Sequence, residues 1–274
     1  MLGLASLAVK AGLYVGALGS AGLGLHTVLL GSDNRRWIGG LALVLAIAVA
    51  SRLLLLNAEL AGGLQHAFDF SMFGWVWAPN QAQVLAFVTG ATALIAGALF
   101  RTKILLLIGA GAVFAAAGLG GHTQGLEAPG INPFIVSLHV AVASFWVTAP
   151  FVLWPRETVS ETILLSRMRR FSTVAVWCVP VLFASGLWLA WRLSGSFEAM
   201  MNQSYGQLLL LKLLLACGAL ALGAFNKLRI TKHLQTQGGT GRTLLRRTLM
   251  LDACLFAGVI FAIAAATTLT GPGA

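Results

Sequence analysis

Apolar residues run along this chain in long stretches, and the polar residues gather between them. A helix that crosses a bilayer needs about 20 mostly apolar residues. Eight stretches meet that requirement: 6–31, 37–57, 81–100, 103–120, 132–155, 171–193, 206–230 and 245–270. Backbone groups in lipid must find their hydrogen bonds inside their own segment, so each stretch reads as a helix. The pattern predicts an all-α fold, a polytopic transmembrane helical bundle of about eight spans, with residues 1–274 forming a single transmembrane domain. Only Arg101, Thr102 and Lys103 join the third and fourth stretches, which must therefore form a tight hairpin. The segment 63–78, with Phe68, Phe70, Phe73, Trp75 and Trp77, reads as a short amphipathic piece lying along the outer surface.

The polar intervals carry the orientation signal. Arg35 and Arg36 follow the first stretch; Arg101 and Lys103 follow the third. Arg156, Arg167, Arg169 and Arg170 follow the fifth, and Lys227, Arg229, Lys232, Arg242, Arg246 and Arg247 follow or end the seventh. The intervals 58–80, 121–131 and 194–205 hold no Lys or Arg. Basic and non-basic loops thus alternate without a break. By the positive-inside rule this predicts an even number of spans with both termini on the outer side of the membrane. The first stretch is long and interrupted by Lys10, so it reads as a retained helix rather than a cleaved signal.

Composition agrees with lipid as the solvent. Of 274 residues, 58% are hydrophobic and 9% charged, with mean hydropathy +0.87. A soluble domain carries about 25% charged residues. The net charge of +10 would suggest nucleic acid on a soluble protein, but here it lies in short loops between spans, so the expected partner is the lipid bilayer and not nucleic acid. Cys178, Cys217 and Cys254 all fall in apolar runs with no C-x-x-C spacing, and read as small buried residues. There is no P-loop, G-x-S-x-G or H-E-x-x-H motif, and no intramembrane C-P-C. No catalytic residue is assigned, and the chain is expected not to be an enzyme.

Polar residues inside a membrane are costly, so each needs a reason. His122 ends the fourth stretch and His139 lies about two turns into the fifth. The loop between them is short, which favours antiparallel neighbours and brings two imidazoles near the outer surface. Imidazole suits transition metals. His66 and Met72 share the outer loop 58–80, where imidazole and thioether together suit copper. The same inventory permits a second reading. His26, His66, His122 and His139 are enough ligands for a b-type haem in a helical bundle, which would make the chain a membrane cytochrome. A third reading is an assembly partner with no ion path. Asp252, two turns into the last stretch, must meet a cation or a proton, with Arg247 and Asn226 the nearest candidates.

The second half resembles the CopD family, the copper resistance protein D or PcoD-like inner-membrane proteins. The likeness runs over 121–272. It rests on Gly121-His122-Thr123, His139 and Trp146 on one helix, Arg170-Phe171-Ser172, Ser185-Gly186, the run Tyr205 to Lys212, Asn226-Lys227, Asp252 and Gly271-Pro272. Thr148-Ala149 stand where the family often has two glycines, and Asp252 stands where Glu is common. The resemblance implies movement of copper ions across the inner membrane beside a periplasmic CopC-type copper-binding partner. It makes His122 and His139 the outer metal-site candidates, to which the residue reading above adds His66 and Met72. Tyr205 and Lys212 would shape the entrance, and Asp252, Cys217 and Cys254 would lie along an inward path.

Overall fold

The computed structural model describes residues 2–120, 130–194, 197–236 and 238–269. Among them every regular element is helical. The order is α1 (Leu2–Leu29), α2 (Arg35–Leu60), two 3-10 turns (Leu64–His66 and Phe70–Met72), α3 (Phe73–Leu99) and α4 (Lys103–Gly118). There follow α5 (Asn132–Val147), the single turn α6 (Ala149–Val152), α7 (Glu161–Ser194), α8 (Phe197–Asn202) and α9 (Ser204–Phe225). A π-helical turn (Asn226–Ile230) leads into α10 (Thr231–Thr236) and α11 (Gly238–Leu269). Seven helical stretches are long and apolar enough to cross a bilayer, and α4, with 16 residues, is a shorter eighth. The chain is a multi-pass membrane protein built as a helical bundle.

Two helices start earlier than hydropathy alone places them. α3 begins at Phe73, not 81, so residues 73–78 are its first turns and not a separate surface piece. The aromatic residues pair at helical spacing: Phe73 stacks on Trp77 at 6.3 Å and meets Phe70 edge-on at 5.5 Å. α7 begins at Glu161, not 171. The Ser160 hydroxyl accepts from the Ile163 N–H at 3.4 Å, and Glu161 sits in the first turn, where a carboxylate complements the helix dipole. Arg167, Arg169 and Arg170 are therefore helical residues rather than loop. The α3–α4 hairpin is as tight as expected, and it turns on Arg101, which takes a left-handed φ of 58°.

α1 joins the two halves. It packs against α2 and α4 on one side and α5 and α11 on the other. A Cβ at Gly16 would lie 2.7 Å from the Leu45 backbone nitrogen of α2. At Gly12 the nearest atom is 3.9 Å away, so of these two glycines only Gly16 sits at the close approach. A Cβ at Gly22 would collide with the Ser144 carbonyl of α5. The first four helices enclose one core around Ile38, Leu45, Leu94 and Leu106. The later helices enclose two smaller clusters, one around Phe145, Trp146 and Phe256, the other around Leu164, Ile230 and Leu245. At the basic end, Arg242 donates to the Val159 carbonyl at 2.6 Å and Arg246 to the Pro155 carbonyl at 3.1 Å, fastening α11 to the α6–α7 connection.

Candidate metal site

α5 carries His139 into its contact with α7. His139 Nδ1 lies 2.9 Å from Ser185 Oγ. The Ser185 hydroxyl has one proton, and it points back along its own helix to the Val181 carbonyl at 2.6 Å. Its oxygen can therefore only accept from the imidazole. The Leu182 carbonyl is a second acceptor at the ring; with the proton on Nδ1 the Nε2 lone pair is available, the arrangement by which an outer-shell partner orients a metal-binding histidine. Gly186 makes the seat possible: a Cβ there would sit 3.2 Å from His139 Cε1. Near the C-terminal end of α7, Trp188 Nε1 donates to Asn132 Oδ1 at 3.0 Å and fixes the register of α7 on α5.

Lys212 of α9 lies within electrostatic range of His139. Among the described residues no carboxylate pairs with it. His139, Ser185 and Gly186 come from two separate stretches of sequence and meet where α5 packs on α7, with Lys212 of α9 in electrostatic range. Sequence reasoning singled out each of them but missed that Ser185 is the partner of His139. The available signal was a Ser-Gly pair inside an otherwise apolar helix.

The other candidates are placed as follows. His122 lies outside the described residues, as does the side chain of Tyr205. His66 is exposed in the first 3-10 turn, and Met72 is exposed at the end of the second. Their loop is held from below by fully buried Asn57, whose Nδ2 donates to the Ala67 and Asp69 carbonyls at 3.0 and 2.7 Å. The backbone N–H and hydroxyl of Ser71 hold the Asp69 carboxyl below its usual range. Among the described residues no three His, Cys, Asp or Glu side chains converge as a ready metal cluster. Cys217 and Cys254 are both exposed on the outside of apolar helices.

His26 is fully buried. Its Nε2 lies 2.8 Å from the Phe145 carbonyl, which can only accept, so Nε2 carries the proton and is committed to α5. The ring stacks on Phe145 at 4.4 Å and on Phe171 at 6.0 Å. A nitrogen bonded to a carbonyl and faces covered by phenyl rings suit a structural tie between α1 and α5. The geometry gives the haem reading no support. Asp252 is buried, its Oδ1 has no hydrogen-bond partner, and no ion pair to Arg247 is formed. Asn226, the other expected neighbour, lines the same cavity as Asp252.

Residues 165–266 match the family model of copper resistance protein D, CopD. These residues include Ser185, Gly186, Lys212, Asn226 and Asp252 of the resemblance read from the sequence. The copper transport protein CutJ of Bacillus subtilis (strain 168) is 30% identical over 157 residues, covering 56% of this chain. The match spans only 28% of the length of that relative. No solved structure matches.

Proposed function

With residues 165–266 taken as a copper resistance protein D segment, we propose that the chain moves copper ions across the bacterial inner membrane, with His139 as the receiving ligand. The observation that carries the reading is the hydrogen bond from His139 Nδ1 to Ser185 Oγ, which orients Nε2 as a ligand. The copper-transport name of the CutJ relative supports the choice of metal. His122, His66 and Met72 complete the outer ligand set, and a CopC-type periplasmic protein delivers the ion. Both termini face the periplasm. No bond is made or broken in the cargo, so the chain acts as a carrier and not as an enzyme.

Lys212 opposes a cation at His139 by simple Coulomb repulsion. Its ammonium must swing away, or stay hydrated at the outer mouth, whenever copper sits on Nε2. In this reading the lysine keeps the site from trapping the ion, since passage requires that binding be weak enough to release. Asp252 lies deeper on the way inward, while Cys217 and Cys254, both exposed to the surroundings of the bundle, stand aside from it.

The test is copper content and uptake of the detergent-purified and reconstituted protein, wild type beside His139→Ala. Copper bound by wild type and lost in the variant, with uptake lost in parallel, supports the reading. A Soret band lost in the variant would replace it with a cytochrome.

A further inference from the structure

A second, separately built site lies toward the basic end of the bundle. α9 packs along α11 and α7 along α5, and α7 and α9 scarcely touch. The gap between them is a cavity of about 730 Å³. Trp177, 78% exposed, lines it, so the cavity opens sideways between α7 and α9 toward the bilayer.

Three residues that line it each hold a side-chain polar atom that is closed off from solvent and has no hydrogen-bond partner: Trp146 Nε1, Asn226 Oδ1 and Asp252 Oδ1. Their residues are only 8%, 8% and 7% exposed. Burying such groups unpaired costs about 1–3 kcal/mol each, so they call for an occupant. Arg169 and Lys227 line the same cavity, are exposed, and pair with no carboxylate among the described residues. Asn226 and Lys227 stand on the π-helical turn, a feature frequent at functional sites. The remaining wall is apolar.

The occupant must answer all of these groups together. A bare cation satisfies the two acceptors but leaves the indole N–H unpaired and faces two positive side chains. Free phosphate satisfies the basic pair but brings nothing for Asp252 or the apolar wall. A hydrocarbon chain satisfies only the wall. A hydroxylated headgroup both donates and accepts, so it serves Asn226, Asp252 and Trp146 at once. A phosphodiester serves Arg169 and Lys227. An acyl chain fills the lateral opening.

We propose that the cavity among α5, α7, the π-helical turn and α11 binds an anionic phospholipid with a hydroxylated headgroup, of the phosphatidylglycerol type. The phosphate sits between Arg169 and Lys227, the headgroup hydroxyls meet Asn226, Asp252 and Trp146 once these side chains turn toward the cavity, and one chain lies along the α7–α9 opening. Asp252 also stands on the inward path proposed for copper, but no residue of the His139 arrangement lines the cavity, so variants at Arg169 and Lys227 test the lipid site apart from copper.

The experiment uses the full-length protein, delipidated in detergent and then offered phosphatidylglycerol, phosphatidylcholine or inorganic phosphate. Native mass spectrometry reads retention, and the unfolding temperature reads stabilisation. Two basic contacts predict a preference for phosphatidylglycerol over phosphatidylcholine of roughly thirtyfold. The double variant Arg169→Gln with Lys227→Gln, both exposed positions, should lose most of that preference while unfolding at the wild-type temperature without lipid. Equal retention of the two lipids, an unchanged preference in the double variant, or the same stabilisation by inorganic phosphate would each overturn the proposal.

Discussion

His139 and Ser185 form a pair in which the serine oxygen accepts from the imidazole, its own hydroxyl donating to the Val181 carbonyl 2.6 Å from that oxygen. The chemical state of the imidazole is thereby set by a residue 46 positions further along the chain. Copper affinity should follow that pairing. Ser185→Ala frees the ring to rotate and to carry its proton on either nitrogen. Loss of such an outer-shell partner typically costs about 10–100-fold in metal affinity. A copper titration of the Ser185→Ala protein should show a drop in that range with little change in unfolding temperature, because the serine bonds only its own helix and this ring. An unchanged affinity would mean that the pair plays no part in holding metal.

Lys212 gives a prediction of opposite sign. Removing a positive charge beside a cation site lowers repulsion by about 1–3 kcal/mol at neighbouring-side-chain distances in a partly wet protein. Lys212→Gln should bind copper at least about fivefold more tightly and turn it over more slowly in reconstituted vesicles. Weaker binding in that variant would show that the lysine assists the ion rather than opposing it.

His26 predicts a structural loss without a metal phenotype. Its replacement by Phe keeps the stacking on Phe145 and Phe171 but leaves the Phe145 carbonyl in the core with only the long 3.5 Å approach of the Thr148 hydroxyl. The cost should be about 1–3 kcal/mol. Thermal unfolding in detergent should shift down while copper content per folded protein stays at the wild-type level. A loss of bound metal would return His26 to the list of ligands.

Gly22→Leu tests the junction between the halves. A side chain there meets the Ser144 carbonyl of α5 and the Thr148 hydroxyl just past its end, and the backbone carbonyl cannot yield. Destabilisation of at least about 2 kcal/mol is expected. The same change at Gly12, where the nearest atom is 3.9 Å away, should be tolerated. A tolerated Gly22→Leu would contradict the α1–α5 packing.

The orientation can be read by labelling single cysteines with a membrane-impermeant reagent in intact cells, in a background lacking the native three. Gln65→Cys in the α2–α3 loop should react from outside, and Arg101→Cys in the α3–α4 turn should react only after the membrane is opened. The reverse pattern would invert the termini.

Most of the bundle was legible in the sequence because lipid leaves the backbone one solution, and a run of apolar residues at helical length states it directly. The even alternation of basic loops reported the number of spans. Helix starts were less legible. α3 and α7 extend past their apolar runs because Phe73 pairs with Trp77, and because Ser160 and Glu161 favour a helix start, effects that hydropathy does not count. The site was half legible. His139 and Lys212 could be named from their cost in a membrane, but the Ser185 contact and the Gly186 seat depend on how α7 lies against α5. The α7–α9 opening was not legible at all, since it arises from two helices failing to pack, and nothing in either sequence alone announces that.

The central claim is that His139 Nε2 receives copper. The most direct measurement is X-ray absorption of copper bound to the purified wild-type protein, alongside metal analysis of His139→Ala and Ser185→Ala. The account predicts imidazole scattering in the wild type, near-complete loss of copper in His139→Ala, and a weakened site in Ser185→Ala. Copper held to the same extent in His139→Ala, with the same coordination spectrum, would contradict it.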